Sequence, residues 1–118
     1  MELQHIDNAA LDNLLETTGG DPGFLVELID TYLTDSVGLL ATMEQSVISA
    51  NADQLRRAAH SLKSNSASFG AHALAGMCQD LEHRARDGML EGAAARLAQV
   101  QVAFAEVERE LRLVRGEL

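Results

Sequence analysis

From Pro22 to about Ile48, the apolar residues Phe24, Leu25, Leu28, Ile29, Tyr32, Leu33, Leu39, Leu40, Met43 and Val47 keep a helical spacing. That is the period of an α-helix with one buried face. Asp21-Pro22 marks its start, an N-cap acid followed by a proline at the first helical position. Before it, a short amphipathic helix is expected over about Asn8 to Thr17, with Asp7 or Asn8 as cap and Gly19-Gly20 as stop. Ser49-Ala50-Asn51 breaks the pattern, and Asn51 is placed to cap a third helix. Its seam is Leu55, Ala59, Leu62, Ser66 and Phe69, ending at Gly70. A fourth helix carries Leu74, Met77, Cys78, Leu81 and Ala85 to Gly88. The last, about Glu91 to Arg115, carries Leu97, Val100, Phe104, Val107, Leu111 and Val114. No strand-type alternation, hairpin dipeptide or internal repeat competes. Short connections make neighbouring helices antiparallel. The expected fold is all-α: an antiparallel up-down four-helix bundle with an additional short N-terminal helix, in one domain spanning 1–118.

Composition narrows the function. Lys and Arg number 9 against 18 Asp and Glu, a formal net charge of −9. Such a chain is poorly suited to nucleic acid or an anionic membrane surface. Aromatics are only 3%, which argues against base-stacking platforms. The lone Cys78 forbids an internal disulfide and a multi-cysteine zinc site. No apolar run is long enough to span a bilayer, and the N-terminus lacks the basic and apolar regions of a signal peptide. A cytoplasmic monomer without membrane insertion is expected.

Charge is uneven: residues 1–55 contain no Lys or Arg at all. With Leu55 set at zero on the third helix, His60 falls at about 140°, well off the apolar seam. Arg56, Lys63, Ser64 and Ala67 lie on the same side at helix-neighbour spacings. An antiparallel turn at Gly70-Ala71 sets His60 level with Glu82, Lys63 with Gln79 and Ala67 with Ala75. Glu82 also falls on the flank of its helix, about 80° from Leu74. An imidazole with one nitrogen held by a carboxylate keeps the other free as a nucleophile. The competing reading is a coincidental surface contact.

Other chemistries find less support. There is no GxxxxGK[ST] loop and no room for an ATP-binding domain. A di-metal bundle site would need Glu-x-x-His pairs, so no metal is expected. Cys78 sits between core positions, and Met43 and Met77 at core spacing. His72 at the turn and His83 on an outward face are expected to be solvent-exposed. The charged stretch EVERELRLVR of the last helix reads as bundle packing with a solvated outer face.

The string AHSLKSNSASFGAHALAGMCQDLE resembles the signature of histidine-containing phosphotransfer (HPt) domains. Ala59-His60-Ser61-Leu62-Lys63, the small run Ser64 to Ser68, Gly70-Ala71, Leu74, Cys78 and Leu81-Glu82 match that signature in order and spacing. The strong match covers about residues 56–86. Ser64 stands where many members have glycine. The resemblance implies that His60 accepts a phosphoryl group. It implies that Lys63 lies beside that group and that Glu82 bonds the other imidazole nitrogen. The implied function is a phosphorelay carrier, taking the group from a receiver-domain phosphoaspartate and passing it to another receiver aspartate. It would have no kinase activity and no cofactor of its own, the Mg²⁺ belonging to the receiver. Response-regulator receiver domains and a hybrid sensor histidine kinase are the implied partners. Arg56, Arg57, Ser64, Ala67, Gln79 and Arg86 are the expected docking residues. Met1 and compact ends lead us to expect a free-standing chain. The alternative is a helical interaction module that binds an acidic partner without phosphoryl transfer.

Overall fold

The computed structural model describes residues 2–118, so Met1, at the edge of the expected domain, lies outside the described residues. Five helices follow in order: α1 (Asn8–Thr17), α2 (Pro22–Ile48), α3 (Ala52–Ser68), α4 (His72–Arg86) and α5 (Ala93–Glu117). Among the described residues there is no strand. Helices α2 to α5 each pack on the next, and α5 closes the bundle by returning to α2. Helix α1 lies against α2. The all-α bundle with one extra N-terminal helix is the fold that the apolar spacing implied.

The caps act where local chemistry requires. Asp7 accepts from the Ala9 N–H, Asp21 from the Gly23 N–H and Asn51 from the Gln54 N–H. Every seam residue expected on α3 is buried: Leu55, Ala59, Leu62, Ser66 and Phe69. They meet Leu74, Cys78 and Leu81 of α4, Ile29 and Met43 of α2, and Val100, Val107 and Leu111 of α5 in one core. In that core the Tyr32 hydroxyl and Ser66 Oγ share a 2.7 Å hydrogen bond. The Tyr32 ring also stacks on Phe69 at 4.7 Å, tying α2 to the last turn of α3.

That contact explains one correction. Phe24 and Leu28, expected in the core, are 54% and 38% exposed. Helix α2 has 27 residues and α3 only 17, so α3 ends at about the level of Tyr32. The first turns of α2 overhang it, and Leu28 borders an open groove with Asn65, Ser68 and Phe69 at the end of α3. Met77 is likewise 39% exposed rather than packed. It borders an open groove with Ala73 of its own helix and Ala98, Gln99 and Val102 of α5.

A second correction concerns α5. Glu110, expected on a solvated face, is 2% exposed. Its carboxylate accepts from the Gln4 N–H at 3.1 Å and the His5 N–H at 2.9 Å. Two backbone donors of a non-helical segment are thereby satisfied, which is what makes the buried charge tolerable. The same segment buries Ile6, and its Asp7 N–H donates to the Gly70 carbonyl at 3.1 Å. A strap therefore runs from α5 to the α3–α4 turn. Helix α5 itself starts at Ala93 rather than Glu91 and runs past Arg115 to Glu117.

Candidate functional site

The α3–α4 turn decides what faces what. Gly70 adopts a φ of 74°, a left-handed conformation in which glycine is the unstrained residue. The chain reverses there, and His60 and Glu82 meet as the turn geometry implied. His60 Nδ1 lies 2.7 Å from Glu82 Oε2. A carboxylate can only accept, so Nδ1 carries the hydrogen and donates it. In the neutral ring that leaves Nε2 with its lone pair, on a side chain that is 56% exposed.

Lys63 supplies what spacing alone did not show. Its Nζ donates to Glu82 Oε1 at 2.6 Å, so one carboxylate holds both the imidazole and the ammonium. The expected alignment with Gln79 describes the backbone only. The four-carbon stem of lysine reaches a full helical turn along α4 to the stronger acceptor. Partial burial pushes the Glu82 carboxyl up, but the Lys63 and His60 hydrogen bonds outweigh it and hold it below the usual carboxylate range. Cys78 is buried one turn away on α4, and burial, then the Glu82 charge, pushes its thiol up to about 12. A thiol so hard to ionise packs and does not attack.

The expected docking residues are all reachable from solvent. Ser64, Ala67, Gln79, Arg57 and Arg86 are exposed, and Arg56 is half-buried. Their charges are met within the domain. Asp53 binds Arg56 at 2.8 Å and Arg57 at 3.2 Å, and Asp87 lies 3.5 Å from Arg86. With Lys63 on Glu82, all four cations of this face already have a carboxylate partner. The patch is nearly neutral, not basic. Asp53 was legible as the i−3 and i−4 neighbour of the two arginines.

Of the other histidines, His83 is exposed, while His72 Nε2 lies 3.4 Å from Asp7 at the strap. Among the described residues no group of three His, Cys, Asp or Glu is placed to hold a metal ion. Nor is any helix there long and apolar enough to cross a membrane.

Comparison with known proteins agrees with this geometry. The Hpt domain family matches residues 27–115. The chain belongs to that family. It is similar to histidine-containing phosphotransfer protein 2 of Oryza sativa subsp. japonica, 29% identical over 103 residues, which are 84% of this chain and 68% of that protein. It is also similar to the crystal structure of histidine-containing phosphotransfer protein B (HptB) from Pseudomonas aeruginosa PAO1. There the TM-score is 0.91 at 32% identity, covering 99% of each chain. The function of this Hpt domain is histidine phosphotransfer in phosphorelays. Hpt domains carry phosphoryl groups and are not kinases. The reading as a binding module without transfer is not favoured.

Proposed function

We propose that His60 is the phosphorylated residue, taking its group from a receiver phosphoaspartate and returning it to another receiver aspartate. The observation that carries this is the exposed imidazole whose Nδ1–H is held by Glu82, leaving Nε2 as the nucleophile. In the transfer, the Nε2 lone pair attacks phosphorus in line. The P–N bond forms as the bond to the aspartyl oxygen breaks, and the carboxylate leaves. The product ring keeps its Nδ1 hydrogen and carries positive charge, which the adjacent Glu82 carboxylate offsets. Lys63, a flexible point charge, exchanges Glu82 for a phosphoryl oxygen. The receiver brings the Mg²⁺, and a hybrid sensor kinase upstream supplies the phosphoryl group. The domain works as a cytoplasmic monomer that carries the group without using ATP.

The partner's backbone packs over the small side chains at Ser64 and Ala67, with Gln79, Arg56, Arg57 and Arg86 around them. Ser64→Gln is therefore expected to slow transfer about tenfold or more, because added bulk blocks close approach. Its stability should change by no more than about 0.5 kcal/mol, since the position is exposed. Transfer from a receiver charged with acetyl phosphate, with thermal unfolding of the same samples, checks both. Normal transfer by Ser64→Gln would move the docking face elsewhere.

Glu82 acts by positioning. Glu82→Ala should slow transfer about tenfold and Glu82→Gln only a few-fold, because an amide oxygen still accepts from Nδ1–H. Ring nitrogen NMR gives an independent reading: wild type holds one tautomer, and Glu82→Ala a mixture. A single unchanged tautomer in Glu82→Ala would remove Glu82 from this role. Because the folded carboxyl sits below its ordinary 4.5, the contact adds stability fully present above that value. That stability is lost as pH falls through the depressed folded value.

A further inference from the structure

The two arginines that precede His60 on α3 already have an internal partner. Asp53 takes Arg56 Nη2 on Oδ1 at 2.8 Å and Arg57 Nη2 on Oδ2 at 3.2 Å, one oxygen for each guanidinium. Asp53, Arg56, Arg57 and His60 sit at the i, i+3, i+4 and i+7 positions that place residues on one helix face. Two turns, about 10 Å, separate Asp53 from His60 along α3. All three members of the cluster are reachable from solvent, with side chains 63% exposed for Asp53, 37% for Arg56 and 68% for Arg57.

Resting on the docking face proposed above, we infer that Asp53 restrains association with acidic receivers by holding Arg56 and Arg57 in an internal ion pair. A receiver that presents a phosphoaspartate is acidic around that residue. Its carboxylates must displace Asp53 from the two arginines, and Asp53 itself stands as a like charge on the face they approach. The surroundings sharpen the effect. The chain carries a net charge of −9, and no Lys or Arg occurs before Arg56, so long-range attraction has few other sources. The hydrogen bond from Arg56, then the charge of Arg57, holds the Asp53 carboxyl below the usual range, so it is ionised wherever the relay operates. The helix does not need this charge for its cap, because Asn51 fills that role. Asp53 thus trades association rate for selectivity, favouring receivers that offer the arginines a better geometry than it does.

The test uses the full chain and one isolated receiver domain charged with acetyl phosphate and Mg²⁺. The second-order transfer rate is measured from about 20 mM to about 500 mM salt. Asp53→Asn should transfer about three- to tenfold faster than wild type at low salt, with a steeper salt dependence and convergence at high salt. Glu44→Gln, which removes one charge from α2 on the groove facing α5, should give much less. Replacing Arg56 and Arg57 by Gln should abolish the gain in the Asp53→Asn background. The same pair of changes in wild type should slow transfer, because it leaves the Asp53 charge unpaired on the face that the receiver approaches. Asp53→Asn transferring at or below the wild-type rate would overturn the inference. So would an equal gain in Glu44→Gln, or a gain that survives loss of both arginines. A wild type that takes no label from the receiver would instead strike the docking reading itself, and the role of Asp53 with it.

Discussion

Replacing His60 with Gln is expected to abolish phosphoryl acceptance, by at least about a thousandfold, while the bundle unfolds at nearly the wild-type temperature. The two halves of this expectation come from one fact. His60 stands off the α3 seam, 56% exposed, so its ring contributes little packing to the core beneath. What it contributes is Nε2, on a ring whose Nδ1 lies 2.7 Å from Glu82, whereas the carboxylates beside His5 and His72 lie farther off, at 3.6 and 3.4 Å. Glutamine keeps polarity and an N–H for Glu82, but its amide nitrogen has no available lone pair. Label transfer and thermal unfolding on the same preparation read both effects. Residual labelling near the wild-type level would place the acceptor on another residue.

The largest effect on stability is expected at Gly70, where Gly70→Ala should cost about 2–5 kcal/mol. A left-handed conformation costs a non-glycine residue about 1–2 kcal/mol, and overpacking adds about 1–3. The second contribution arises because an added Cβ would lie 2.8 Å from the Cβ atoms of Asp7 and Ala10 and 2.9 Å from the Asp7 nitrogen. Those atoms belong to the strap and the first turn of α1, which pack directly on the α3–α4 turn. Gly20 separates the two contributions. Its φ is 77°, but an added Cβ would meet nothing within 4 Å. Gly20→Ala should therefore cost only the conformational part, and the difference measures the strap contact. Denaturant midpoints for the two variants give the comparison. Equal costs would mean that the strap lifts away from Gly70 easily.

Much of this architecture is written in spacing. Helical period, caps and glycine stops located all five helices, because these are local rules that act over a few residues. The His60–Glu82 contact followed from the same rules, since a hard stop at Gly70 leaves little freedom in the register of the hairpin. What escaped was non-local. The burial of Glu110 depends on two backbone donors about a hundred residues earlier, and no periodicity encodes that. The exposure of Phe24 and Leu28 depends on the length of α3, not on anything in α2. Lys63 pairs with Glu82 because a flexible stem selects among acceptors that only the packed hairpin defines. The neutrality of the arginine patch was within reach of the sequence, but counting cations on a face overlooks the carboxylate at i−3 and i−4.

The identity of the phosphorylated atom tests the account most directly. The chain is charged from a phosphorylated receiver, and the phosphoryl group is located by ³¹P and ¹⁵N correlation on the histidine ring. The account predicts one phosphohistidine, at His60 Nε2, stable in base and labile in acid, with Nδ1 still protonated against Glu82. Phosphate on Nδ1 of His60, on another histidine, or on a serine of the Ser64–Ser68 run would contradict it.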